Sequence, residues 1–216
     1  MRIDIVTLFP EMFAPLNESI LKRARDNGIL NINLVQLRDF AFDKHRQVDD
    51  TPFGGGSGMV LKPEPMFRAV RSILETSLPK EQRRILIMDP LGKQFNQEKA
   101  KELAKFEQLI FICGHYEGFD ARIYELADEA VSIGEYVLTG GELPAMVIID
   151  AVARMLPNVL GSDESAKTDS FYDGGAGYPQ YTRPRDFEGR LVPEVLFSGN
   201  HAQIAKWRSE NSKCII

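Results

Sequence analysis

The sequence predicts an α/β fold, a mainly parallel sheet with helices on both faces. Three observations carry this. Short apolar runs alternate along the chain with segments of helical period, the pattern of strand–helix–strand units. Two late apolar runs end in glycine-broken loops, which is where α/β sheets open their ligand crevices. Hydrophobic residues make up 44% of 216 positions, enough for a substantial core.

The elements follow in order. Residues 2–8 read as a buried strand that ends at the break Phe9-Pro10. Residues 12–27 place apolar side chains at helical spacing and stop before Gly28, a helix-ending residue. Residues 29–37 alternate Ile32, Leu34 and Gln36 against Asn31, Asn33 and Val35 and predict a strand. A polar, glycine-rich loop spans 43–58. Prolines open a helix over 63–78. Residues 84–89 predict a short strand, and Asn96 caps a helix over 96–106. A strand over 107–113, a helix over 120–126, a strand over 130–133 and an apolar helix over 142–156 complete the series. Composition then changes. Gly161-Ser162-Asp163-Glu164-Ser165 and Asp173-Gly174-Gly175-Ala176-Gly177 read as a flexible linker long enough to be functional. The tail has a helix around 202–209 and is too small to fold alone. The expected organisation is a principal domain over 1–160, a linker over 161–181 and a tail over 182–216 that must pack on the first domain or on a partner chain.

Bulk properties narrow the function. No apolar run approaches the ~18 residues that span a bilayer, and the alternating start, with Asp4 in it, does not look like a secretory signal. Cys113 and Cys214 read as two free thiols of a cytoplasmic protein. Cys214 is third from the end, which does not fit prenylation. The net charge of −5 argues weakly against nucleic acid as a partner. Three local basic clusters oppose it: Lys22-Arg23-Ala24-Arg25, Lys44-His45-Arg46 and Arg183-Pro184-Arg185, each of which also reads as ordinary solvated charge.

The most informative stretches are the two glycine loops, Cys113-Gly114-His115-Tyr116-Glu117-Gly118-Phe119-Asp120 and Ile133-Gly134-Glu135-Tyr136-Val137-Leu138-Thr139-Gly140-Gly141. Glycine lets main chain approach a ligand closely, so two such loops at adjacent strand ends predict a pocket with main-chain walls. Neither is a dinucleotide fingerprint, which would follow the first strand. Phe53-Gly54-Gly55-Gly56-Ser57-Gly58-Met59 lacks the lysine of a phosphate loop and reads as a linker or as a loop closing on substrate. Asp169 alone reads as a solvated linker carboxylate. Arg154, inside an apolar run, needs a partner or ligand, or snorkels from its helix end. Glu117 either caps its loop or meets a ligand. Three scattered histidines, His45, His115 and His201, and two cysteines make no metal site.

Taken together, Val48-Asp49-Asp50-Thr51-Pro52-Phe53-Gly54-Gly55-Gly56-Ser57-Gly58-Met59, Gly114-His115-Tyr116-Glu117-Gly118, residues 133–146 with Pro144, Asp169-Ser170-Phe171 and Tyr181-Thr182-Arg183-Pro184 stand in one order. In that order the chain closely resembles the bacterial tRNA (guanine-N1)-methyltransferases of the SPOUT class, over nearly its whole length. The resemblance implies a deep trefoil knot, a small helical C-terminal domain over 182–216, and a homodimer with active sites at the subunit interface. It implies S-adenosylmethionine as cofactor, with Mg²⁺ in a possible supporting role. It implies tRNA as partner, the guanine immediately 3′ of the anticodon as target, and no membrane. Cofactor contacts map onto Leu86, Pro90, Gly114, Tyr116, Glu117, Ile133, Gly134, Glu135, Tyr136, Val137, Leu138, Gly140, Gly141 and Pro144. Substrate contacts map onto Asp50, Gly55, Met59, Ser170 and Arg183. The general base maps onto Asp169 and the essential arginine onto Arg154.

Three departures stand out. Met88-Asp89-Pro90-Leu91-Gly92 replaces a more usual Ser-Pro-Gln-Gly, so Asp89 is expected to alter cofactor affinity. Gly174-Gly175-Ala176-Gly177 replaces a more apolar linker, which would loosen the Asp169 segment. The sequence stops at Ile216, short of the family's usual C-terminal helices, implying weaker tRNA binding or a truncated form. These departures keep open a catalytically impaired RNA-binding module of the same fold. A relative acting on ribose or another base is the second alternative, and a small-molecule nucleotide binder the weakest.

Overall fold

A computed structural model describes residues 1–160, 170–172 and 177–212. The chain divides into two compact units, Met1–Gly161 and Ser162–Ile216. The first is built on a five-stranded sheet in the order β2-β1-β6-β5-β7, parallel throughout. Its strands are β1 (Arg2–Thr7), β2 (Asn31–Gln36), β5 (Arg83–Gln94), β6 (Gln108–Ile112) and β7 (Glu129–Ser132). A two-residue ladder joins β3 (Asp49–Asp50) to β4 (Val60–Leu61). The helices are α1 (Ser19–Asp26), α2 (Pro63–Leu74), α3 (Gln97–Leu103) and α4 (Glu142–Ala153).

Alternation along the strands supplies both faces of the sheet. Ile3, Ile5, Leu86, Met88, Leu109 and Phe111 point to one side, where they pack with Leu21, Leu103, Ala145, Ile148 and Ile149 of α1, α3 and α4. Val6, Ile85, Ile87, Ile110 and Ile112 point to the other, against Met66, Ala69, Val70 and Ile73 of α2. Helices on both faces are what the near-continuous apolar run of β6, buried at every position, requires.

Three elements differ from the sequence reading. The single helix expected over 12–27 is a 3-10 helix (Pro10–Asn17) followed by α1, with Glu18 extended between them at φ −121°, ψ 163°. Pro15, which has no N–H and crowds the preceding turn, prevents a continuous α-helix. The helix expected over 120–126 is a 3-10 turn (Ala121–Leu126) opened by Asp120, whose Oδ1 accepts from the Arg122 N–H at 3.0 Å. The strand expected to stop at residue 89 runs on to Gln94. Met88 and Lys93 both register with Val131 of β7, so residues 89–92 leave the sheet and return to the same neighbour. Gly92 makes this fit possible: a Cβ there would lie 2.5 Å from the Ala130 carbonyl carbon and the Val131 nitrogen.

The second unit is not all helical. A hairpin of β8 (Asp186–Phe187) and β9 (Arg190–Leu191) turns through Glu188 and Gly189, both at positive φ as a tight two-residue hairpin requires. A 3-10 turn (Glu194–Phe197) and α5 (His201–Asn211) follow, with Asn200 Oδ1 capping the helix through the Gln203 N–H. Among the described residues, no helix is long and apolar enough to cross a membrane.

Candidate active site

The looped-out segment of β5 and the C-terminal ends of β6 and β7 open into a cavity of about 390 Å³, within the range of small-ligand sites. Three stretches line it. The looped-out segment of β5 contributes Asp89, Pro90 and Leu91. The loop after β6 contributes Gly114, His115, Tyr116, Glu117, Gly118 and Phe119. The loop after β7, leading into α4, contributes Ile133, Gly134, Tyr136, Val137, Leu138, Thr139, Gly140, Gly141 and Pro144.

The last two loops are bound to each other. The Gly141 N–H donates to the Gly114 carbonyl at 2.9 Å, and His115 bridges Gly140. Their approach is as close as main chain permits: a Cβ on Gly141 would lie 2.8 Å from Cys113 Cα and 3.0 Å from the Gly114 nitrogen. Tyr116 sits on the cavity wall at φ +61°, a left-handed conformation that a bulky side chain adopts only when its surroundings enforce it. Ser132 ties the start of the β7 loop, its Oγ donating to the Gly134 carbonyl at 2.9 Å.

The charged groups on the cavity lining are the Asp89 and Glu117 carboxylates, with the neutral Tyr124 phenol beside Asp89. Asp89 Oδ1 accepts from the Leu91 N–H at 2.7 Å, which shapes the looped-out segment, and its Oδ2 accepts from the Tyr124 hydroxyl. Burial, then the hydrogen bond to Asp89 and its negative charge, push the Tyr124 phenol well above the ordinary tyrosine range. Burial, reinforced by nearby Glu142, pushes the Cys113 thiol up beneath the cavity. Among the described residues no cluster of histidine, cysteine and carboxylate groups could hold a metal ion.

The glycine-rich loop reaches this site through Glu117. The Glu117 N–H donates to the Met59 carbonyl at 3.0 Å, Leu61 N–H to Gly118, and Asp120 N–H to Leu61. A Cβ on Gly58 would lie 2.4 Å from Glu117 Cγ, so only glycine lets the loop settle against that side chain. Met59 and Glu117, assigned to substrate and cofactor from sequence, are therefore neighbours. Asp50 lies exposed on β3, its Oδ1 accepting from the Thr51 N–H, and Gly55 turns the loop tip at φ +81°.

Of the cofactor contacts expected from sequence, twelve line this cavity: Pro90, Gly114, Tyr116, Glu117, Ile133, Gly134, Tyr136, Val137, Leu138, Gly140, Gly141 and Pro144. Leu86 does not; it is wholly buried in the core beneath the sheet face. Glu135 is exposed and off the lining. Arg154 is half-buried just past the last turn of α4, whereas Gly141 and Pro144 at the opposite end line the cavity. Twelve helical residues separate them, about 18 Å along the axis. Ser170 and Arg183 belong to the second unit, where Ser170 Oγ accepts from the Gly177 N–H at 2.9 Å. Asp169 lies outside the described residues. His115, Phe119 and Thr139 also line the cavity and stood inside the glycine loops singled out from sequence, whereas Tyr124 lines it from a stretch that carried no local signal.

A family model described as tRNA (Guanine-1)-methyltransferase TrmD matches residues 1–214. The chain belongs to the tRNA (guanine-1)-methyltransferase family. Relatives bearing the name tRNA (guanine-N(1)-)-methyltransferase include proteins of Leuconostoc mesenteroides, Staphylococcus carnosus and Dehalococcoides mccartyi, at 56%, 58% and 57% identity. The alignments cover 98%, 97% and 98% of this chain and 86%, 85% and 86% of the relatives. Family membership makes the cavity the candidate site of a methyl-transfer reaction, and so of an enzyme of the transferase class.

Proposed function

We propose that the protein is an S-adenosylmethionine-dependent tRNA methyltransferase acting on N1 of the guanine immediately 3′ of the anticodon. The observation that carries this is the cavity itself, walled by the two glycine loops of the family pattern. Its residues suit the donor. Pro90, Leu138 and Pro144 on its lining offer apolar contact. The donor, when bound, supplies a methyl on a positively charged sulfur, and the Asp89 and Glu117 carboxylates beside the cavity favour that charge. The knot expected of the family would be formed by the chain around these loops. Mg²⁺ is proposed only in a supporting role.

The chain's own groups handle the guanine. N1 carries a proton and must lose it as it becomes a nucleophile. Asp169 serves as the general base, a role a carboxylate fills when it reaches hydrogen-bond distance. Negative charge then builds on guanine O6, and Arg154 stabilises that state over the ground state. The target base leaves its stack to enter the site. Asp50, Gly55, Met59, Ser170 and Arg183 hold the substrate.

One chain holds Arg154 about 18 Å from its own cavity end of α4. A homodimer resolves this: Arg154 of the partner subunit completes the site. Large apolar side chains at the same edge support such an interface, with Tyr136 53%, Val137 85%, Leu143 46% and Val147 49% exposed. The reaction places the protein in the cytoplasm, with its tRNA.

The test is transfer of labelled methyl from S-adenosylmethionine to unmodified tRNA, with the modified nucleoside identified by mass spectrometry. Wild type should yield N1-methylguanosine. Asp169→Ala should bind the donor normally and lose transfer. Normal transfer by that variant removes the base assignment, and a different modified nucleoside removes the proposed target.

A further inference from the structure

Five polar or charged side chains are buried among the described residues, and two of them, Thr7 and Glu142, meet beneath the cavity. Glu142 opens α4 and is wholly buried, an expensive place for a carboxylate unless every oxygen is satisfied. Its Oε1 accepts from the Thr7 hydroxyl at 2.6 Å, and its Oε2 stands 2.8 Å from His115 Nε2. Thr7 Oγ1 in turn accepts from the Phe9 N–H at 2.9 Å, and the Phe9 ring meets the His115 ring edge-on, centroids 4.7 Å apart. One carboxylate thus joins the end of β1, the loop after β6 and the start of α4. The positive end of the α4 dipole faces the same group.

His115 is the member of this chain of contacts that reaches the cavity wall together with Gly140. Gly140 leaves no slack: a Cβ there would lie 2.3 Å from His115 Nε2 and 2.5 Å from Glu142 Oε2. The distance between the two loops is therefore set by where Glu142 holds the imidazole.

We infer that Glu142 is a positioning residue for the methyl-donor pocket: it clamps His115, and through His115 it fixes the spacing of the two glycine loops that receive the donor. The inference rests on the proposed function, since it assumes that S-adenosylmethionine is what the cavity takes. Glu142 does not touch the donor, so it acts on pocket shape. Donor and demethylated product then lose affinity together when it is removed.

The experiment is calorimetric titration of the full chain with S-adenosylmethionine and with S-adenosylhomocysteine, followed by steady-state transfer. Glu142→Ala should weaken both ligands by about tenfold. Glu142→Gln keeps the volume, accepts from Thr7 and donates to the other imidazole tautomer, so it should recover to within about threefold of wild type. His115→Ala should match Glu142→Ala, and the double variant should be no worse than either, because both remove one clamp. In transfer assays the loss should fall on the donor KM, with kcat at saturating donor within about threefold of wild type. Unchanged donor affinity in Glu142→Ala, no recovery in Glu142→Gln, or additive losses in the double variant would each overturn the inference. If Glu142→Ala does not fold, His115→Ala decides: wild-type donor affinity in that variant overturns it, and a raised donor KM supports it. A wild-type protein that binds neither ligand refutes the functional reading itself, whereas a binding wild type with equally binding variants refutes only the clamp.

Discussion

Gly141→Ala isolates the contact between the two glycine loops. Gly141 sits at φ −83°, ψ −5°, which alanine adopts freely, so the substitution introduces no backbone strain of its own. What it introduces is one methyl group, 2.8 Å from Cys113 Cα, 3.0 Å from the Gly114 nitrogen and 3.0 Å from Met88 Cβ. Carbon pairs settle at about 3.5–4.0 Å, so the loops must part by several tenths of an ångström, and two of the three neighbours are main chain. Overpacking of this kind costs roughly 1–3 kcal/mol. Parting the loops also strains the 2.9 Å bond from Gly141 N–H to Gly114. If the strain is expressed in the pocket, each 1.4 kcal/mol is about a tenfold loss of donor affinity. Calorimetric titration with S-adenosylmethionine, beside urea unfolding, measures both shares. Gly28→Ala is the comparator: at φ +71° with nothing within 4 Å, it should lose roughly 1–2 kcal/mol of stability and leave donor affinity untouched. Wild-type stability together with wild-type donor affinity in Gly141→Ala would refute the close-contact reading.

Three further outcomes are expected. Asp4→Ala removes a buried carboxylate that accepts from Arg2, Asn33 and Gln108, leaves the Gln108 amide with Ser77 as its remaining acceptor and should cost about 1–3 kcal/mol, read as a lower urea midpoint. Tyr124 has its folded-state pKa raised above the unfolded value, so its contribution to stability is complete below the ordinary tyrosine pKa of about 10 and is lost as pH rises beyond it; Asp89→Asn should shrink this alkaline loss in unfolding curves recorded from pH 9 upward. Mixing inactive Arg154→Ala subunits with inactive donor-pocket variants should restore about a quarter of wild-type transfer, because half the dimers are mixed and each of those has one intact site; no restoration would argue against a shared site.

How far the sequence could be read depends on how local each cause is. The strands were legible because burial on both faces forces unbroken apolar runs, as in Leu109-Ile110-Phe111-Ile112. The cavity lining over 133–141 was legible because glycines mark close main-chain contact. Leu86 stands off the lining because strand alternation turns its side chain into the core, and Glu135 stands off it at a loop position, where no period says which way a side chain faces. Glu142 gave no signal at all. An acidic residue in the first turn of a helix is commonplace, and its burial depends on Thr7, 135 positions earlier in the chain. The extension of β5 was hidden by the Asp89-Pro90 break and by the polar pair Lys93-Gln94 on which the strand resumes, and the Glu188-Gly189 turn by the helical reading of the tail.

That detour has a consequence for how the pocket can change. Because β5 departs opposite Val131 and rejoins opposite the same residue, the register of the sheet is indifferent to what the excursion carries at Asp89, Pro90 and Leu91. The excursion itself is held by its closing glycine, against Ala130 and Val131, and by Asp89, through the Leu91 N–H and the Tyr124 hydroxyl. The rim of the pocket is thus a cassette whose strain ends at its own two hinges, so a change of side chain there reaches the ligand before it reaches the scaffold.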